Sequence, residues 1–254
     1  MKRNRFSEVG IKGKITLGWL NKTADLALAG YDKKTITQVL NEFLAEELSV
    51  GNNVRFGSRG KTISILEKTW VQGDNVSENL RKRGLVFYEK CQAKERIILH
   101  WGATMAAYPF LATVALHTGR LLKLQGTAGA KQVQRRIREQ YGESENVSRA
   151  TRHVLRNFIE WGVLLDSGNT GVYLPGGLHS IKKPELICWL IECLLSTTET
   201  SSMLYKAAID SPALFPFKIN LISANMLAKH GNIQVFKSGL EDEIITVKNQ
   251  FAGN

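Results

Sequence analysis

The chain has 254 residues, of which 43% are apolar and 22% charged, and its formal net charge is +11. This composition excludes a disordered chain and suffices for one large core or two to three small ones. Its cysteines, Cys91, Cys188 and Cys193, are odd in number and lack metal-ligand spacing, which points to free thiols in a reducing cytosol rather than a disulfide framework.

The charge is uneven. Residues 1–126 hold 20 Lys and Arg against 11 Asp and Glu, residues 127–177 hold 7 against 5, and residues 178–254 hold 7 against 7. A basic protein of this size meets a polyanion, either nucleic acid or an acidic membrane surface, although surplus cations also simply solubilise a surface. The basic start at 1–10 runs into no apolar stretch, so no signal peptide is expected.

In chain order, a short helix is predicted over 23–30, stopping at Gly30. An amphipathic helix follows over 35–48, with Ile36, Val39, Leu40, Phe43, Leu44 and Leu48 on one face. A polar loop at 51–60 leads to a short segment over 62–71 that reads as a helix, with a strand as the alternative. Ser77 is the expected N-cap of a helix over 78–92. Residues 97–119 carry no Asp, Glu, Lys or Arg, a stretch long enough to span a bilayer. Pro109 in its middle instead reads as the start of a new helix, giving two buried helices that meet at Tyr108-Pro109.

Helices are then expected over 109–125, 131–142 and 147–161, with a hairpin over 163–174. After Pro184 come an apolar helix over 185–195, a second over 201–209, a third ending at Gly231, and a hairpin over 232–249 with Glu241-Asp242-Glu243 at its tip. Helix, glycine, hairpin thus occurs at 147–174 and again at 219–248. Two tandem units of one kind produce that echo, and so does coincidence.

Three helices followed by a hairpin is the order of a winged helix-turn-helix. In the third helix Val147, Ala150, Val154, Leu155, Phe158 and Ile159 share an apolar face, and Ser148, Arg149, Arg152 and Arg156 are read onto the other. A recognition helix needs this division, because its outward guanidinium groups pair with guanine edges or phosphates. The preceding helix adds Lys131, Gln134, Arg135 and Arg138 as phosphate contacts. The hairpin tip, Ser167 to Gly171, is small and polar, with Asn169 able to approach a phosphate and no cation to enter a minor groove.

Upstream, Arg55, Arg59 and Lys61 flank Phe56 and Gly57 and read equally as a phosphate contact or a solvated loop. Gly60-Lys61-Thr62 has the ending of an ATP-binding phosphate loop, but Arg55 stands where that motif needs Gly, so no ATP site is expected. The histidines, His100, His117, His153, His179 and His230, show no ligand spacing, and His153 sits beside Arg152. Trp101, Trp161, Trp189, Phe158, Phe215 and Phe217 read as core anchors. No catalytic triad, carboxylate pair or metal motif stands out, so neither an enzyme nor a cofactor is expected.

The stretch 108–175 resembles winged helix-turn-helix regulators, in which a recognition helix runs into a glycine-marked wing. In layout the whole chain is similar to BrxA-type accessory proteins of bacterial BREX phage-defence systems, and the stretch 20–43 has their flavour. That resemblance implies double-stranded DNA and other subunits of a defence assembly as partners.

The expected fold is mainly α. A basic helical N-terminal region occupies 1–92, a winged helix-turn-helix with its preceding helix occupies 93–177, and a helical domain ending in a β-hairpin, a candidate second winged-helix-like unit, occupies 178–254. The expected function is cytoplasmic, non-catalytic binding of double-stranded DNA in a bacterial antiviral system. A protein-interaction scaffold and a dimeric transcriptional regulator are the alternatives.

Overall fold

Side-chain oxygens open the first two helices. Thr16 accepts from the Trp19 amide to start α1 (Leu17–Leu28), and Asp32 accepts from Thr35 to start α2 (Lys33–Phe43). The computed structural model describes residues 4–49, 57–220, 222–238 and 242–248, with the side chains of 75–77 and 238 outside that description. The chain is mainly helical, with eleven α-helices among the described residues and small sheets confined to its C-terminal half.

α3 (Ser58–Trp70) begins earlier than its apolar pattern indicates. α4 (Asn75–Lys90) also starts early, so Ser77 lies in its first turn and is not its cap. Gln92 instead caps a 3₁₀ turn at Ala93–Glu95, which leads into α5 (Arg96–Ala107). α6 (Pro109–Gln125) follows with Pro at its first turn and ends at left-handed Gly126. The segments 93–107 and 109–125 meet at 118°, and no single helix among the described residues is long and apolar enough to cross a membrane. Their uncharged faces are buried inside the protein, as expected.

Downstream of α6 come β1 (Ala128–Gly129), α7 (Ala130–Tyr141), α8 (Glu145–Glu160), β2 (Leu164–Asp166) and β3 (Val172–Pro175). β3 lies between β1 and β2, antiparallel to both, with Ala128 opposite Tyr173 and Leu165 opposite Leu174. Gly162, at φ +70°, turns the chain out of α8 while Val163 N–H returns to the Phe158 carbonyl. The hairpin is therefore welded to the end of the helix.

β4 (His179–Ile181) leads to α9 (Pro184–Leu195), whose faces are buried almost all round. Trp189 on α9 donates its indole N–H to the Leu80 carbonyl at 2.9 Å, joining α9 to α4. Where a helix over 201–209 is expected, Ser201 adopts φ 49° and the chain forms β5 (Ser202–Leu204) before a short α10 (Tyr205–Ile209). β-pairing with a later strand overrides the local helical pattern here.

A 3₁₀ turn at Pro212–Leu214 and β6 (Phe217–Ile219), parallel to β4, precede α11 (Ala224–His230), β7 (Ile233–Ser238) and β8 (Asp242–Val247). Asp242 and Glu243 belong to β8 and pair with Ser238 and Lys237 rather than forming a turn tip, while Glu241 lies outside the described residues. β8 lies between β5 and β7.

One topology thus occurs twice: helix, strand, two helices, two strands, with the last strand central in the sheet. The first copy is α6-β1-α7-α8-β2-β3. The second is α9-β5-α10-α11-β7-β8, with the 212–219 segment inserted between its two middle helices. Gly119 lets the α6 backbone lie against that insertion, since a Cβ there would meet the Pro212 carbonyl oxygen at 2.0 Å. Trp101 is buried at the centre, stacked on Phe158 and meeting Trp161, Phe215 and Phe217 edge-on. All three cysteines are free, with Cys188 and Cys193 buried.

Candidate nucleic-acid interface

α8 is strongly two-faced. Val147, Ala150, Val154, Leu155 and Phe158 are buried, whereas Arg149, Arg152 and Arg156 are exposed at successive turns. Ser144 starts the helix by accepting from the Val147 amide. Two of the three arginines meet the chain's own acid: Glu145, in the first turn, lies 2.7 Å from Arg152 and 4.0 Å from Arg149. Arg156 forms no ion pair among the described residues.

Three of the expected contact residues require correction, and a fourth, Arg55, lies outside the described residues. Ser148 is only 7% exposed and packs inward. It lies seven residues before Leu155, and that spacing already places both on one face. Gln134 on α7 is 9% exposed, on the same inner side as Val133 and Ile137. Arg59 is spent on the turn that follows α2: its guanidinium donates to the carbonyls of Leu48 at 2.7 and 2.9 Å and of Ala45 at 3.0 Å. Its role is to hold that turn by satisfying backbone carbonyls, which takes its charge out of play for phosphate.

The remaining expected residues sit at the surface. Lys131 and Arg135 are exposed on α7, where Arg135 meets Glu139 at 3.2 Å. Arg138 is half-buried, with its Nε lacking a partner. Asn169 is exposed at the tip of the β2–β3 hairpin, where Val172 N–H bonds its carbonyl. Arg136, which the sequence reading passed over, is exposed beside Arg135 and shares Glu139 at 3.0 Å.

The tertiary fold adds cations from far away in sequence. Residues 11–15 run beside α8 as a strap. Asn157 receives the Ile15 amide at 3.0 Å and donates to the Gly13 carbonyl at 3.1 Å, and the Trp161 indole donates to the Ile15 carbonyl at 2.8 Å. Thr62 on α3 donates to the Lys14 carbonyl at 3.1 Å. Strap, α3 and α8 enclose a cleft of about 690 Å³ lined by Lys12, Lys14, Lys61, Arg149, His153 and Arg156 among others.

Lys14 meets Glu160 at 3.3 Å, whereas Lys12 and Lys61 form no ion pair among the described residues. Partial burial, followed by the charges of Arg156, Arg149, Arg152 and Lys61, lowers the His153 pKa and keeps the ring neutral. No sequence signal joins Lys12 or Lys14 to α8, because the contact depends on the Asn157 and Trp161 side chains meeting backbone groups far away in the chain.

Among the described residues no group of three or more His, Cys, Asp and Glu side chains is placed to hold a metal ion. The arrangement can do one thing well: present several guanidinium and ammonium groups to a polyanion from an exposed helix and the cleft along its flank. No known protein family, curated protein or solved structure matches the chain.

Proposed function

We propose that this protein is a non-catalytic double-stranded DNA-binding protein built on two winged helix-turn-helix units, with α8 as the recognition helix of the first. The twice-used topology is the order of that fold, with α7 and α8 as the helix pair and β2–β3 as the wing. The observation that carries the reading is the exposed arginine stripe of α8, backed by a buried, mainly apolar face and flanked by Lys12, Lys14 and Lys61. An element of this kind reads base edges with its arginines, while the neighbouring lysines position it on phosphates.

The test is binding of a short labelled duplex across a range of salt concentrations. Affinity is expected to fall steeply with salt, and Arg152→Glu with Arg156→Glu is expected to abolish retention. A double variant that binds as tightly as the parent chain overturns the assignment of α8. Glu145→Gln is expected to tighten binding, because it removes the carboxylate that competes with phosphate for Arg149 and Arg152.

The likeness of layout to BrxA-type proteins extends the proposal to an accessory subunit of a bacterial antiviral assembly, working beside other protein subunits. One observation favours a scaffold role for the C-terminal unit. Leu204, Ile244 and Phe236 align across β5, β8 and β7, with Leu204 and Phe236 exposed, in a region of zero net charge. A protein contact suits that row better than a phosphate does.

A further inference from the structure

The cleft beside α8 draws its walls from three separate stretches of chain. The strap is pinned by Asn157 and Trp161, and α3 is pinned to the strap by Thr62, so Lys12, Lys14 and Lys61 are attached to a wall that packing holds in place. The opposite wall brings Arg149 and Arg156, and Glu160 is the one acid among the described lining residues. Cations gathered in this way repel one another unless an anion enters between them.

The volume of about 690 Å³ is that of a ligand-sized cleft, yet among the described lining residues the only ring is that of His153. A free nucleotide site would be expected to offer a surface for stacking the base. A sugar–phosphate strand needs only charge along an open groove.

We propose that this cleft grips backbone phosphates of the DNA strand bordering the groove that α8 enters, so that the N-terminal helices and the recognition helix hold one duplex together. The inference rests on the duplex-binding reading above. It assigns the positioning contacts to the N-terminal region rather than to the hairpin tip, which carries no cation.

The experiment measures duplex affinity of the full chain against salt concentration. Lys12→Ala with Lys61→Ala removes two exposed cations, so folding should be unaffected, which a thermal melt verifies. The slope of log affinity against log salt is expected to become shallower by about 1.8, with roughly thirtyfold weaker binding near ~0.15 M salt. Lys82→Ala with Lys90→Ala on α4, an equal loss of charge, is expected to leave the slope unchanged. Glu160→Gln is expected to tighten binding. In the NMR titration of His153, a phosphate in the cleft is expected to raise the ring's pKa on duplex binding.

If the parent chain binds duplex and the Lys12/Lys61 variant keeps its slope, the clamp is wrong while the assignment of α8 stands. If the parent chain does not bind duplex, both fall. If inorganic phosphate or AMP raises the His153 pKa and duplex does not, the cleft is a small-anion site and the proposal is overturned.

Discussion

His100 is completely buried and fully hydrogen-bonded. Trp70 donates its indole N–H to His100 Nδ1 at 3.0 Å, so the ring proton lies on Nε2 and is donated to Asn21 Oδ1 at 2.9 Å. Tyr88 donates its hydroxyl to the same Asn21 oxygen at 2.9 Å. Burial, with a smaller contribution from Arg96, pushes the His100 pKa down to about 3.

The folded chain therefore refuses a proton that the unfolded chain accepts below about pH 6.5. The stability contributed by neutral His100 is fully present above that pH. It is lost as the pH falls toward 3, at up to about 1.4 kcal/mol per pH unit. Urea denaturation at successive pH values is expected to show this slope in the parent chain and a shallower one in His100→Gln. Identical slopes would mean that His100 does not titrate as described. The hydrogen-bond partners of His100 come from two other helices, α1 and α3, and left no local trace in the sequence.

At the scale of elements, α8 serves two masters. Its arginine stripe faces outward, and its flank holds the strap through Asn157. The side chain of Asn157 pairs with a backbone amide and a backbone carbonyl in buried surroundings, so no other contact takes over when it is shortened. Asn157→Ala is expected to cost about 2–4 kcal/mol, the sum of two deserted backbone groups. The Ile15 amide should lose hydrogen-exchange protection while the α8 amides keep theirs. Protection of Ile15 unchanged in the variant would show that Trp161 alone secures the strap.

The helices of this region were readable because their apolar residues recur at three and four and their ends carry Pro109, Gly126, Gly142 and Gly162. Faces were less readable at their borders. Ser148 and Gln134 are polar residues beside an apolar stripe, and polarity suggested solvent where packing left them buried.

Over the whole molecule, Glu192 ties the N-terminal helices to the C-terminal unit. It is 1% exposed on α9, accepts from Arg83 on α4 at 2.8 Å, and accepts from the Asn232 amide at the mouth of β7, also at 2.8 Å. The pair joins the helical N-terminal region to the second of the repeated units. Glu192→Ala leaves both donors without a partner and is expected to lower stability by about 3 kcal/mol. Glu192→Gln, whose carbonyl still receives Asn232, is expected to cost less, and calorimetric melting of the two variants separates charge from hydrogen bonding. Equal melting temperatures for both variants and the parent would remove Glu192 from this joint.

The sequence alone determined the helical class, the three helices and the hairpin within 109–174 though not the short strand β1 between the first two, the closing hairpin and the concentration of positive charge toward the N-terminus. Those features depend on periodicity, on glycine and proline at helix ends and on composition, all of which act within a few residues or add along the chain. Only the tertiary structure decided that the repeated unit occurs twice, since a three-residue strand such as β5 becomes a strand by pairing with β8, some forty residues away. It alone brought Lys12, Lys14 and Lys61 beside Arg149 and Arg156, because long-range burial and the two hydrogen bonds of Asn157 create that cleft, and neither leaves a pattern along the chain.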